Sequence, residues 1–145
     1  MRALSLPELN RFRDVAPLVI RGSMGVIFAY HGWQKLERGL GGFTQFVDSL
    51  GVPLPDIVAP AVAYLELVGG IMLVAGFLTR VVALLLALQM IGTTYLVKLD
   101  AGLIAPMGGG AGAEIDVALW AGMVALLFTG PGVLSLDRVL RIERA

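Results

Sequence analysis

The sequence predicts an all-α integral membrane protein: a four-helix bundle with both termini cytoplasmic and short amphipathic helices at the interfaces. Hydrophobic residues make up 57% of the chain and charged ones 15%, and the mean hydropathy is +0.84. A soluble domain of this size carries about a quarter charged residues. The apolar runs are long enough to cross a bilayer: residues 57–78 would reach roughly 33 Å as a helix, against a hydrocarbon core of about 30 Å. Cations are distributed unevenly. With both termini inside, Arg2, Arg11, Arg13, Arg80, Arg138, Arg141 and Arg144 face the cytoplasm, while only Lys35, Arg38 and Lys98 face outward, as the positive-inside rule requires.

The chain forms one domain over residues 1–145, with expected spans at about 15–33, 57–78, 81–97 and 114–130. Before the first span, Ser5-Leu6-Pro7-Glu8 reads as a capped helix start, and Leu6, Leu9 and Phe12 follow at helical spacing, so a short interfacial helix is expected. In the first span, Arg21, Met24, Gly25, Phe28, His31, Gly32 and Lys35 share one sector. Lipid would penalise the charges and the glycines permit close helix approach, so this sector faces the interior. Phe43, Phe46, Val47 and Leu50 then repeat as on an amphipathic helix, stopped at Gly51, lying on the outer interface or partly over a cavity mouth. Pro53 and Pro55 separate it from the second span. There Ala59, Val62, Ala63, Glu66, Gly69, Gly70, Leu73 and Phe77 share a face. Thr79-Arg80 is the whole turn to the third span, which carries Gln89 and Thr93. Residues 100–113 read as a glycine-rich flexible loop. After the fourth span, Ser135 caps a terminal amphipathic helix over about 135–144.

Glu66 near the middle of an apolar span demands a partner. From position along the helices, Arg21 lies about 10 Å and Glu66 about 18 Å above the cytoplasmic boundary, so the two are expected to pair. His31, then Lys35, continue the ladder outward, with Gln89 near Glu66 in depth. The pair either fixes helix register alone or sets the ionisation of a carboxylate available to a ligand. His31 reads either as an interfacial side chain bonded to backbone or as a proton carrier. Glu114, Asp116 and Lys35 read chiefly as headgroup-level charges, and the terminal arginines as anchors to anionic membrane lipid.

Several classes are excluded. Zero net charge offers no basic surface for nucleic acid. With no cysteine and one histidine, the chain cannot ligate an iron–sulfur cluster or a bis-histidine haem, and no metal site is expected. The glycine run 108–110 lacks the lysine of a phosphate-binding loop. No nucleophile–base motif identifies a catalytic residue.

The ordered motifs Arg21-Gly22-x-x-Gly25, His31-Gly32-x-x-Lys35-Leu36, Gly51-x-Pro53, Glu66-x-x-Gly69-Gly70, Gly76-Phe77-x-Thr79-Arg80 and Gly130-Pro131-Gly132-x-x-Ser135-Leu136-Asp137, with Met90 and Glu114, resemble the DoxX family over nearly the whole chain. The resemblance implies a small four-helix bacterial inner-membrane protein. It also implies association with quinol oxidation, thiosulfate:quinone oxidoreduction or oxidative-stress complexes. Its recurrent polar positions fall on Arg21, His31, Lys35, Glu66, Arg80 and Glu114. Three functions are then expected to compete. One is a redox-linked subunit that binds quinone or another lipid-soluble ligand near Glu66, with Arg21, His31, Lys35 and Gln89 around it and a membrane-associated redox protein as partner. Another is a non-enzymatic scaffold. The last is a small transporter, which would need homo-oligomerisation because four spans are few for alternating access.

Overall fold

The computed structural model describes residues 7–99, 102–104 and 112–142. Ser5, Arg2, Arg144 and most of the predicted glycine-rich loop, with Pro106 and the run 108–110, lie outside them. The described residues are helical, with no strand among them. A 3₁₀ segment (Pro7–Val15) leads into α1 (Ala16–Glu37). Then follow α2 (Leu40–Ser49), α3 (Pro55–Ala75), α4 (Thr79–Thr93, continued by a π-helical turn, Thr94–Lys98), α5 (Glu114–Thr129) and the single turn α6 (Leu136–Val139). The long helices touch in sequence around a shared core: α1 on α3, α3 on α4, α4 on α5, and α5 back on α1. Phe28, Leu73, Leu86, Met123 and Leu126 fill the centre.

Element ends follow local chemistry. α3 starts with Pro55 in its first turn, where a missing N–H costs nothing. It stops at Ala75 because Gly76 turns left-handed (φ 68°). The Phe77 N–H then bonds Met72 O at 2.9 Å and the Gly76 N–H bonds Leu73 O at 3.0 Å, the Schellman pattern. That glycine ends the helix three residues before the predicted 78. α1, with no breaker before Gly39, instead runs four residues beyond the predicted 33. The N-terminal segment is 3₁₀ where an interfacial helix was expected.

The predicted terminal helix over 135–144 is also corrected. Among the described residues only Leu136–Val139 is helical there, and Asp137 points inward, fully buried. Its carboxylate accepts from the Leu78 N–H (2.7 Å), the Thr79 N–H (2.9 Å) and the Thr79 hydroxyl (2.8 Å). Those are orphan donors at the start of α4, so a residue 58 positions away in sequence caps that helix. The short turn exists to present this cap, which a longer amphipathic helix on the surface would not do.

Among the described residues, two helices are long and apolar enough to cross a membrane, Pro55–Ala75 and Thr79–Lys98. α1 is diluted by its polar groups, and α5, at 16 residues, reaches only about 24 Å. Large apolar side chains nevertheless stay exposed along all four, among them Val19 and Val26, Val68 and Ile71, Leu84 and Leu88, and Val117 and Phe128.

α1 and α3 pack backbone to backbone. A Cβ on Gly25 would stand 2.7 Å from Gly70 O, and one on Gly32 would stand 2.7 Å from Ala63 O. The order of these contacts makes the two helices antiparallel. Gly25→Ala and Gly32→Ala are therefore expected to lower stability by about 1–3 kcal/mol each through overpacking. Gly22→Ala, whose Cβ would meet nothing within 4 Å, should be neutral or slightly stabilising. Thermal unfolding of the three variants in detergent checks this ranking.

Candidate functional site

The expected Arg21–Glu66 pair does not form. The antiparallel register places Glu66 level with Gly32, some 11 residues beyond Arg21, or about 16 Å along α1. Direction then adds to distance. Helical Cα–Cβ bonds tilt toward the helix N-terminus, so on antiparallel helices Arg21 and Glu66 lean away from each other. Lys35, a turn beyond Gly32, leans back toward Glu66 instead.

Arg21 is fully buried and works as a donor to backbone. One terminal nitrogen bonds Leu73 O (3.3 Å) and Val74 O (2.7 Å) at the end of α3, and the other bonds Val133 O (3.0 Å) and Leu134 O (2.5 Å). Its charge sits against the negative end of the α3 dipole and is offset electrostatically by Asp137. Gly76 is crowded by this arrangement: a Cβ there would lie 2.6 Å from Ser135 Cβ. Arg21 is thus a structural tie between α1, α3 and the 130–134 loop.

Glu66 is 4% exposed. Lys35 Nζ forms an ion pair with Oε2, and Gln89 Nε2 donates to Oε1, so α1 and α4 both hold a carboxylate borne by α3. Gln89 Oε1 is itself buried and accepts no hydrogen bond from the described residues. The Lys35 ammonium also lies 5.1 Å from the centre of the Phe43 ring on α2, within cation–π range. These side chains form one wall of a cavity of about 390 Å³ between α1, α2, α3, α4 and α5. Its other walls are mostly apolar: Phe28, Phe43, Phe46, Val47, Val62, Met90, Leu96 and Leu119. The aromatic face of α2 lines the cavity, one of the two placements its spacing allowed.

The remaining candidates are dispersed. His31 is exposed and lines the cavity, and its Nδ1–H donates to Ile27 O at 2.8 Å, a bond that does not use Nε2. Arg80 donates to Leu127 O at the opposite end of the fold. Glu114 opens α5, with Oε2 buried and unbonded among the described residues. Two acids matter more than the sequence suggested. Asp137 is the α4 cap described above. Asp116 is buried in the cavity wall with Thr94 Oγ1 at 3.5 Å. The signal for Asp116 was its place in the first turn of α5, one helical turn before the buried Leu119. Among the described residues, no group of three or more histidine, aspartate or glutamate side chains is placed to hold a metal.

Helices of membrane-crossing length, an apolar exterior and a buried carboxylate in an apolar cavity define a small helical membrane protein with a ligand-sized interior. The chain belongs to the DoxX family, whose family model matches residues 16–99. It is 37% identical over 129 residues to a Bacillus subtilis (strain 168) protein named "Putative oxidoreductase CatD", covering 89% of this chain and 90% of that one. It is 32% identical to inner membrane protein YqjF of Escherichia coli (strain K12), covering 91% and 97%. It is also 32% identical to inner membrane protein YphA of the same organism, covering 95% and 99%. No solved structure matches the chain.

Two predictions follow from the two polar clusters. Lys35→Met leaves Glu66 short of its cation and should cost about 1–3 kcal/mol, as should Glu66→Gln by the reverse loss. The double variant should recover part of that cost, because the uncompensated charge is gone; a denaturant double-mutant cycle reads this coupling. At the other end, Asp137→Ala strips three donors of their acceptor and should cost more than Asp137→Asn, which keeps one carbonyl oxygen in place. Arg21→Met should be at least as damaging as Asp137→Ala, and thermal melts of the three variants give the order.

Proposed function

We propose that this DoxX protein crosses the bacterial inner membrane four times as a bundle of α1, α3, α4 and α5, with both termini cytoplasmic. It binds a quinone, or a lipid-soluble ligand of similar shape, in the cavity beside Glu66. The observation that carries this reading is a buried carboxylate, held by Lys35 and Gln89, facing an otherwise apolar space. A volume of about 390 Å³ falls within the usual range for small-molecule sites, and few convergent polar groups in an apolar lining are their usual composition.

The residues present fit such a group. Lys35 Nζ and Gln89 Nε2 are the donors able to turn from Glu66 to a ligand carbonyl. A quinone, when bound, supplies two-electron, two-proton chemistry. Glu66 can hold a proton at Oε1 or Oε2, with the Lys35 ammonium beside it as counter-ion. His31, exposed and lining the cavity, can pass a proton between the surroundings and the cavity. Phe43, Phe46 and Val47 exclude water from above. A chain without cysteine and with one histidine has no electron relay of its own, so the reading calls for a membrane-associated redox partner. The relative named as an oxidoreductase supports this direction.

A scaffold role is the second reading. It is favoured by the fact that both Glu66 oxygens already have protein partners, as a purely structural pair would.

Titration of the purified protein with ubiquinone and menaquinone analogues decides between them. Saturable binding is expected, weakened about tenfold or more in Gln89→Leu, a loss of roughly 1.4 kcal/mol. Absence of saturable binding in a folded wild-type preparation leaves the scaffold reading.

A further inference from the structure

A second hollow, also about 390 Å³, opens beside the first between the end of α1 and the start of α2. His31, Gln34, Lys35, Arg38, Gly42 and Phe43 line it, and His31, Lys35 and Phe43 line the inner cavity as well. Its chemistry differs from that of its neighbour. No carboxylate lines it; Glu66 stands behind Lys35, in the inner cavity. Arg38 and Lys35 lie three residues apart on α1 and supply a guanidinium and an ammonium, with the Gln34 amide beside them. Lys35 is shared with Glu66, which leaves Arg38 as the cation that Glu66 does not bond.

His31 adds a different kind of group. Because its Nδ1–H is spent on Ile27 O, the neutral ring offers Nε2 as an acceptor, which suits a hydroxyl and not an anion. The hollow therefore combines cationic donors for an oxyanion with one acceptor for an alcohol. The two helices that border it also carry exposed aromatic rings, Tyr30 and Trp33 on α1 and Phe46 on α2, the kind of side chain found at the headgroup level of a bilayer.

We propose that this hollow binds a hydroxylated phosphate ester, supplied as the headgroup of an anionic phospholipid such as phosphatidylglycerol. Arg38 and Lys35 take the phosphate, and His31 Nε2 takes the headgroup hydroxyl. The inference stands on this hollow and needs no ligand in the inner cavity. It also sets this face apart from Arg138 and Arg141, which lie at the other end of the fold beside α6.

The test uses the full chain in nanodiscs of phosphatidylcholine mixed with either phosphatidylglycerol or phosphatidylmethanol, which has the same charge and no hydroxyl. Retained lipid is counted by native mass spectrometry. Phosphatidylglycerol should be retained over phosphatidylcholine, and Arg38→Gln should cut that preference about fivefold, the worth of one cation near a membrane surface. Arg38 is exposed, so this variant should fold. Arg141→Gln, at the other end, should leave the preference unchanged. His31→Leu should remove only the advantage of phosphatidylglycerol over phosphatidylmethanol, about threefold for one hydrogen bond. Displacement of the lipid by millimolar glycerol phosphate would support the same chemistry with a soluble source, and resistance to it assigns the site to the membrane lipid. Equal retention of zwitterionic and anionic lipid overturns the proposal, as does a preference untouched by Arg38→Gln or reduced equally by Arg141→Gln. Quinone titration in phosphatidylcholine alone is independent of all these outcomes, so either reading can fail without the other.

Discussion

The line along which α1 and α3 meet without side chains between them governs the rest of the molecule. Gly25, Gly32 and Gly70 let two backbones approach to a distance at which a single methyl group would collide with a carbonyl oxygen. In a membrane, where apolar side chains gain little by leaving lipid, such close van der Waals packing is the main source of helix association. It also fixes register, because a slide of one residue would drive Ala29 or Leu67 into the gap. Once the register is fixed, the partners of each charged group on α1 are determined.

Those partners divide the molecule into two ends with different chemistry. At one end the buried charges turn mostly to backbone. Arg21 serves four carbonyls, Asp137 serves two N–H groups and a hydroxyl, and the Val133 N–H bonds Asp14 O at 3.2 Å. Buried charges used in this way close helix ends that would otherwise be left unsatisfied. At the other end the polar groups turn to each other and to open space: Lys35 and Gln89 to Glu66, and Asp116 and His31 to the cavity. A guanidinium with nearly all its donors committed is poorly suited to exchanging partners with a ligand. An ammonium at the edge of a cavity, with an aromatic ring as a second resting place, is better suited to it.

Most of the architecture was legible because it rests on local pattern. Run length and the stop at Gly51 locate most of the helices, and the spacing of Phe43, Phe46, Val47 and Leu50 gives the face of α2; the stops at Gly39 and Gly76 went unread. That Glu66 needs polar partners was legible too, since an ionisable group in an apolar run identifies itself. The pairing was not. Estimating depth from residue count treated each side chain as level with its own Cα and each span as starting at one plane. A long arginine on one helix and a glutamate on an antiparallel neighbour reach in opposite directions, and the glycine contacts set a register that counting from span ends misjudged by several residues. Asp137 was hidden for a related reason: its role as a cap depends on a fold-back of the 130–134 loop, which no periodicity encodes.

The same geometry bears on how the two cavities relate. Lys35 contributes to both, and its ammonium lies within reach of Glu66 on one side and the Phe43 ring on the other. Any change that neutralises Glu66, whether a proton or a ligand that takes over its hydrogen bonds, weakens the main attraction holding Lys35 inward. The freed ammonium then has the ring and the outer hollow available to it, and an anion in that hollow would favour the outward position. Glu66 and the oxyanion site are thus coupled through a single flexible side chain. By linkage, a ligand that favours neutral Glu66 must strengthen anion binding by the same factor that the anion strengthens its own. No helix has to move for that coupling to operate, only the four-carbon stem of one lysine.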